Sequence, residues 1–202
     1  MTHERLSLLD WRRWIFAIYE EIRSSSDPRR AWERWRAVRN GLFRAHPQSP
    51  LPQRDRAGFP GLSFFDYDPA MRVLAEVQDA PPEHYEIQTS GDGTYGFTRF
   101  GTATFEVAGV PAELELYWLD GYGGGLFLPF RDATAGKETY GAGRYLLDTV
   151  KGADLGSQGD RLILDFNFAY NPSCAYDPQW VCPLAPPPNR IGVEIRAGER
   201  AL

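Results

Sequence analysis

"TATFEVAGVPAELELYWL", residues 102–119, is the stretch whose reading decides the fold. Its first six residues put Ala103, Phe105 and Val107 on one side of an extended chain and Thr102, Thr104 and Glu106 on the other. Side chains of a strand alternate in that way, whereas a helix repeats every three to four residues. "ELELYWL" (113–119) repeats the alternation with Leu114, Leu116 and Trp118. "AGVPA", which holds Gly109, separates the two runs, so they are expected to form a hairpin. Further strands are expected near 72–78, 84–89, 95–100, 125–130, 144–150, 161–169 and 191–196. Short strands with turn residues between them and no intervening helical pattern point to an antiparallel barrel or sandwich.

The front of the chain has the other periodicity. Trp11, Trp14, Ile15, Ile18 and Ile22 recur at helical spacing, with Ser7 and Asp10 as a weak capping box ahead of them. "SSSDP" breaks that pattern and starts a second helix, with Asp27 as N-cap, Pro28 in the first turn and a stripe of Trp32, Trp35, Val38 and Leu42. Pro47, Pro50 and Pro52 end it. Tryptophans at this spacing read as core rather than as a cofactor or sugar surface, and both stripes are expected to dock on the β body. The expected class is therefore α+β, mainly β. It has a helical segment over 1–50 and an antiparallel barrel or sandwich-like body over 51–202, expected to form one compact unit.

Composition narrows function by exclusion. The 202 residues are 43% hydrophobic and 24% charged with a net charge of −5, and no run of five or more basic residues appears, which argues against nucleic acid as a partner. Lys137 and Lys151 are the only lysines among 22 basic residues. The first twenty residues are interrupted by Asp10, Arg12 and Arg13 and do not read as a signal peptide, and no stretch has the length of a membrane span. A soluble, cytoplasmic protein is expected, with Cys174 and Cys182 as thiols.

"RDATAGKETYGAGRY" (131–145) contains both Gly-Lys and Gly-x-Gly, yet neither nucleotide motif is complete. A P-loop needs glycine where Arg131 stands and a hydroxyl where Glu138 stands, and a dinucleotide loop needs glycine at Leu146. What remains is a cluster of Arg131, Lys137 and Arg144 beside Tyr140, which reads either as a solvated connection or as an anion-facing loop. His3, His46 and His84 form no close ligand pair, the cysteines are not spaced as a zinc knuckle, and no G-x-S-x-G elbow occurs. A Ser–His pair of Ser49 with His46 is a weak candidate. No metal site and no cofactor is named by these residues.

In "LILDFNFAYNPSCAYDPQWVCPLAPPPNR" (162–190), Leu162, Leu164, Phe166 and Phe168 alternate with Ile163, Asp165 and Asn167. Buried, Asp165 and Asn167 would need partners. If the strands carrying Arg144 and Asp165 are neighbours in a meander, those two side chains meet across the pair. The proline-rich excursion that follows is expected to bring Cys174 and Cys182 close together.

"LFLPFRDATAGKETYGAGRYL", "LDFNFAYNPSCAYDPQWVCPLAPPPNR" and the closing "IRAGE" resemble DUF1684, a family of bacterial and archaeal proteins of unknown function. "WRAVRNGLFRAHPQSPL" resembles the front of its actinobacterial members, so the likeness covers most of the chain. The resemblance implies that Arg131, Asp132, Thr134, Tyr140, Gly141, Arg144, Asp165, Asn167, Tyr170, Asn171, Pro172, Cys174, Cys182, Pro183 and Asn189 occupy family positions, and it carries no activity with it. Two departures stand out: Pro188 where an acid is usual and Phe168 where a base is usual, which suggests that the two pair in relatives.

Three functional expectations result. The first is a small-molecule-binding barrel with a polar, anion-accepting pocket between the 131–144 loop and the 165–189 segment. Its ligand residues would be Arg131, Lys137, Tyr140, Arg144, Asn167, Tyr170, Asn171 and Asn189. The second is an enzyme using that pocket, with Asp165 as general base and Cys174 as nucleophile. The third is a structural or interaction domain without a ligand. Ligand identity and oligomeric state are not encoded in any motif.

Overall fold

The hairpin forms as its alternation requires. In the computed structural model, which describes residues 2–201, Thr94–Val107 and Val110–Leu119 pair antiparallel down to Val107 opposite Val110. The two turn residues, Ala108 at φ 52 and Gly109 at φ 74, are both left-handed, the turn geometry that matches strand twist. Around this hairpin the strands are β1 (Arg72–Gln88), β2 (Thr94–Val107), β3 (Val110–Leu119), β4 (Leu126–Phe130), β5 (Arg144–Asp148), β6 (Ser157–Gln158) and β7 (Arg161–Asp165). They make a seven-stranded antiparallel sheet in the order β5-β4-β3-β2-β1-β7-β6. An isolated antiparallel bridge between Tyr145 and Tyr170 links β5 to the chain leaving β7, so the sheet curls back on itself. The class is α+β with a barrel-like sheet.

The strands run longer than the sequence suggested. The expected pieces 72–78 and 84–89 are one strand, β1, which shifts register between Asp79 and Glu83 where Pro81 and Pro82 cannot donate to the ladder. The pieces 95–100 and 102–107 are likewise one strand, β2, which shifts register against β3 between Arg99 and Gly101. Gly101 passes so close to β1 that a Cβ would lie 2.8 Å from the Gln78 carbonyl oxygen. The extra residue there turns the sheet over. Ala103, Phe105, Leu114 and Leu116 face the main core, while Phe97, Tyr117 and Phe127 form a second cluster with Tyr145 and Ile87. Trp118, expected on the buried side, is consequently exposed. The strand expected at 191–196 is irregular chain: Ile191 N–H donates to the Arg131 carbonyl and Ile195 N–H to the Asp132 carboxylate.

Helices α1 (Thr2–Ser24) and α2 (Pro28–Ala45) cover the main core. Asp27 caps α2 by accepting from Arg30 N–H at 3.1 Å, and Pro28 opens it. Ser7 caps nothing: α1 has already begun, and its hydroxyl donates to the Glu4 carbonyl within the helix. Ile15, Ile18 and Tyr19 of α1 and Trp32, Trp35 and Leu42 of α2 are buried, but Trp14 points outward. Phe166 and Phe168 join the layers: Phe168 meets Trp35 at 5.2 Å, and Phe166 meets Phe105 at 5.7 Å and Phe130 at 5.2 Å. The alternation read at 162–168 stops at Asp165, whose carboxylate accepts from Asn167 N–H and caps a 3-10 turn over Phe166–Phe168. A short helix, α3 (Gln53–Arg56), follows the proline segment. No helix among the described residues is long and apolar enough to cross a membrane.

Candidate functional site

The C-terminal "IRAGE" fastens two buried arginines. Gly198, at φ 75, passes so close to Ala169 that a Cβ would lie 2.6 Å from the Ala169 carbonyl oxygen. That passage carries Glu199 beneath α2, where its carboxylate accepts from Arg39 Nη2 at 3.0 Å, from Asn171 N–H at 3.1 Å and from the Tyr176 hydroxyl. Arg39 also lies over the rings of Trp35, Phe43 and Tyr170. Burial is the strongest single influence and works against the Arg39 charge, but Glu199 together with Tyr176, Tyr19 and Tyr170 overcomes it and leaves the guanidinium pKa raised. Burial pushes the Glu199 carboxyl up, and Arg39 holds that rise back.

Beside this pair lies a cavity of about 80 Å³ between α1, α2, β5 and the chain at 170–173. Its walls are mostly aromatic, from Trp11, Phe43, Tyr145 and Tyr170. Three of its lining residues have a buried polar atom without a partner among the described residues: the Tyr19 hydroxyl, Arg39 Nε and Asn171 Oδ1. All three residues are at least nine-tenths buried. A buried polar atom left bare costs about 1–3 kcal/mol, so these are three groups that a polar guest would satisfy. An outer cleft of about 190 Å³ shares Trp11, Pro50, Lys151, Ser173 and Cys182 with the cavity and leads outward past Arg12 and Trp180. Lys151 sits half-exposed at this junction, paired with Asp148 at 3.1 Å, and the pairing outweighs burial to hold its ammonium charged.

The residues singled out from sequence divide among several environments. Tyr170 and Asn171 line the cavity. Tyr140 and Cys174 stand next to it, the tyrosine hydroxyl 3.8 Å from the Cys174 sulfur. Cys174 and Cys182 are neighbours, as expected, with Cys174 N–H donating to the Cys182 sulfur at 3.4 Å. Arg144 does not meet Asp165, because β5 and β7 are not adjacent in the sheet order. Its partners are Asp132 at 3.3 Å and the carbonyls of Ile195, Ala197 and Glu199. Asp165 faces Arg72 at 3.9 Å, in a separate void of about 60 Å³ behind α1. Burial raises its carboxyl to about 6, against the pull of its Asn167 hydrogen bonds.

Asn167 clamps the Asp68 backbone through both ends of its amide, and Asn189 does the same for Glu115 while also reaching the Pro129 carbonyl. Arg131 joins the ladder to Arg190, and Lys137 is exposed on the loop tip. The cationic cluster read at 131–144 is therefore split, and the void beside Asp165 is lined by Ile22, Arg23, Arg72 and Phe168 rather than by that loop. His46 and Ser49 are no catalytic pair: the Ser49 hydroxyl donates to the Phe43 carbonyl, and His46 faces Asp10. The two departures from the family pattern also separate, Phe168 in the core and Pro188 on an exposed turn. Among the described residues no group of three or more His, Cys, Asp or Glu is arranged to hold a metal ion.

Sequence reasoning missed Tyr19, Arg39, Lys151, Tyr176 and Glu199. A signal existed for one of them. Arg39 follows Trp32 and Trp35 at helical spacing and precedes Leu42, so a cation sits on the buried stripe of α2.

Residues 57–200 match DUF1684, described as a protein of unknown function. A search of curated proteins gives no match. Among solved structures, the chain is similar to the solution NMR structure of an uncharacterized protein of Haloarcula marismortui, at 38% identity and a TM-score of 0.60 over 83% of this chain and 91% of that one. A match over most of the chain, together with that relative, places the protein in the DUF1684 family.

Proposed function

We propose that the protein binds a small, uncharged polar molecule, one carrying a carbonyl, amide or hydroxyl, in the cavity beside Arg39 and Glu199. The observation that carries this is the set of three bare polar atoms, two of which donate (Tyr19 hydroxyl, Arg39 Nε) and one of which accepts (Asn171 Oδ1). Arg39 is already balanced by Glu199, and Lys151 at the mouth by Asp148, so both cations that line the cavity are paired before any anion arrives. The anion-accepting pocket read from the 131–144 loop is replaced by this neutral one. The aromatic walls favour a flat or partly apolar ligand.

Three probes of similar size test the reading by NMR titration: N-methylacetamide, glycerol and acetate. N-methylacetamide is expected to shift the resonances of Tyr19, Asn171 and Tyr170 in a saturable way at millimolar concentration, with acetate weaker. Acetate binding more tightly than the amide would refute the neutral site. Saturation by none of the three would mean a cavity filled by water alone.

A further inference from the structure

The loop from Ser173 to Pro183, which forms part of the cavity wall, carries both cysteines and is tied to two other parts of the molecule. Its Cys182 backbone exchanges hydrogen bonds with Ser90 in the β1–β2 turn, through Ser90 N–H to the Cys182 carbonyl at 2.9 Å and Cys182 N–H to the Ser90 hydroxyl at 3.1 Å. Trp180 Nε1 donates to the Pro50 carbonyl at 3.3 Å, and Ser90 Oγ to the Trp180 carbonyl at 3.1 Å. Within this frame Cys182 is buried, Cys174 is only half-buried, and the backbone of one touches the sulfur of the other. The Tyr140 hydroxyl completes the surroundings of Cys174.

We propose that Cys174 and Cys182 are a redox-active thiol pair, in which Cys174 attacks a hydroperoxide and Cys182 resolves the product into a disulfide. The geometry separates the roles. The less buried residue, Cys174, is the one with a tyrosine hydroxyl at its sulfur, and the buried Cys182 is held beside it. In the first step the Cys174 thiolate attacks the terminal oxygen of the hydroperoxide. The O–O bond breaks, the alkoxide leaves with the electron pair and takes a proton from water, and Cys174 becomes a sulfenic acid. In the second step the Cys182 sulfur attacks the Cys174 sulfur, the S–O bond breaks, and water leaves with the Cys182 proton. Two electrons pass from the thiols to the hydroperoxide, which ends as an alcohol and water.

Electrostatics agrees with that division. The hydrogen bond from Cys182, aided by Ser90 and Tyr140, lowers the Cys174 thiol to about 6, whereas the same bond together with burial pushes Cys182 up. Burial and the neighbouring Cys174 raise Tyr140 to about 12, so its hydroxyl stays protonated and able to donate. These shifts place the anion on the half-buried Cys174 ahead of Cys182. A thiolate of this kind is less nucleophilic per anion than a free cysteine, so its signature lies in the pH profile more than in the absolute rate. Cys182 also lines the cavity and its outer cleft, so oxidation would tie down one wall of both. The thiol chemistry stands independently of what that cavity binds.

Peroxide treatment followed by mass spectrometry tests the pair. In the wild-type protein both thiols should be lost to alkylation together, with the mass falling by two hydrogens, and thiol reductant should restore them. With dimedone present, Cys182→Ser should accumulate an adduct on Cys174, whereas Cys174→Ser should give none and keep Cys182 alkylatable. If either variant fails to fold, the wild-type alkylation profile decides. Cys174 should reach half its maximal rate near pH 6, at least about tenfold ahead of Cys182 at neutral pH. A half-maximum above pH 8, a dimedone adduct on Cys182 in place of Cys174, or two thiols that survive peroxide would overturn the proposal.

Discussion

Arg39 and Arg144 are both buried against a carboxylate and both hold the C-terminal "IRAGE", yet they are finished differently. Arg144 spends its guanidinium on Asp132 and the carbonyls of Ile195, Ala197 and Glu199. Asp132 in turn accepts from the Thr134 hydroxyl at 2.7 Å and from Ile195 N–H at 2.8 Å. Nothing at that locus is left for a ligand. Arg39 keeps one hydrogen bond to Glu199, stacks on three aromatic rings and leaves its Nε bare beside a void. Burial alone does not distinguish a structural arginine from a functional one. On the proposed ligand reading, an unused donor beside a cavity does.

The comparison breaks if the two arginines cost the same to remove. Arg144→Met should be the most destabilising change, about 4–5 kcal/mol by urea denaturation, since it strands Asp132 and deprives three carbonyls of their donor. Arg39→Met should cost less, about 2–3 kcal/mol, because Glu199 keeps Tyr176 and Asn171 as donors and can take up a proton. Equal losses would mean that Arg39 is also a structural staple. Trp35→Ala should cost about 3–5 kcal/mol and lower a single cooperative transition, because the fully buried indole packs on Phe168 and joins the helices to the sheet. Two separate transitions would show that the helical front and the β body are independent units.

A third buried charge sharpens the contrast through pH. Asp165 has a carboxyl raised to about 6 by burial, with Arg72 only at 3.9 Å. An unfolded aspartate titrates near pH 4, so the folded state binds this proton more tightly. The stability from protonating Asp165 is complete below about pH 4 and is lost as pH rises through about 6, a swing of about 2–3 kcal/mol. Asp165→Asn should flatten that part of the stability–pH curve. A stability–pH curve left unchanged between pH 4 and 6 by the substitution would show that burial does not hold the proton on Asp165. The smallest expected effect is at the hairpin that opened the reading. Ala108→Gly relieves a left-handed alanine and should stabilise by about 1 kcal/mol, with no change in ligand or thiol behaviour.

What was legible in the sequence is what depends on near neighbours. The β2–β3 hairpin, the N-cap of α2 and the stripes carrying Ile15, Ile18, Trp32 and Trp35 are set by residues within a turn or two of each other. The length of β1 and β2 was hidden because Pro81, Pro82 and Gly101 punctuate strands that bulge rather than end. The expected Arg144–Asp165 pair fails because strands near in sequence need not be adjacent, and β7 joins β1 on the opposite side of the sheet from β5. The cavity was beyond local reading for a similar reason. Arg39 and Glu199 are separated by 160 residues, and only the fold brings them within 3.0 Å.

The most direct test of the central claim is the Tyr19→Phe variant, measured for stability and for its response to N-methylacetamide in the same preparation. The substitution removes one bare hydroxyl and leaves the ring in place. A ligand site predicts stability unchanged or raised by about 1 kcal/mol, since an unsatisfied buried group is gone, together with at least a tenfold loss of N-methylacetamide affinity. A drop of more than about 2 kcal/mol with the titration intact would contradict the account, because the hydroxyl would then be holding the fold together and not awaiting a partner.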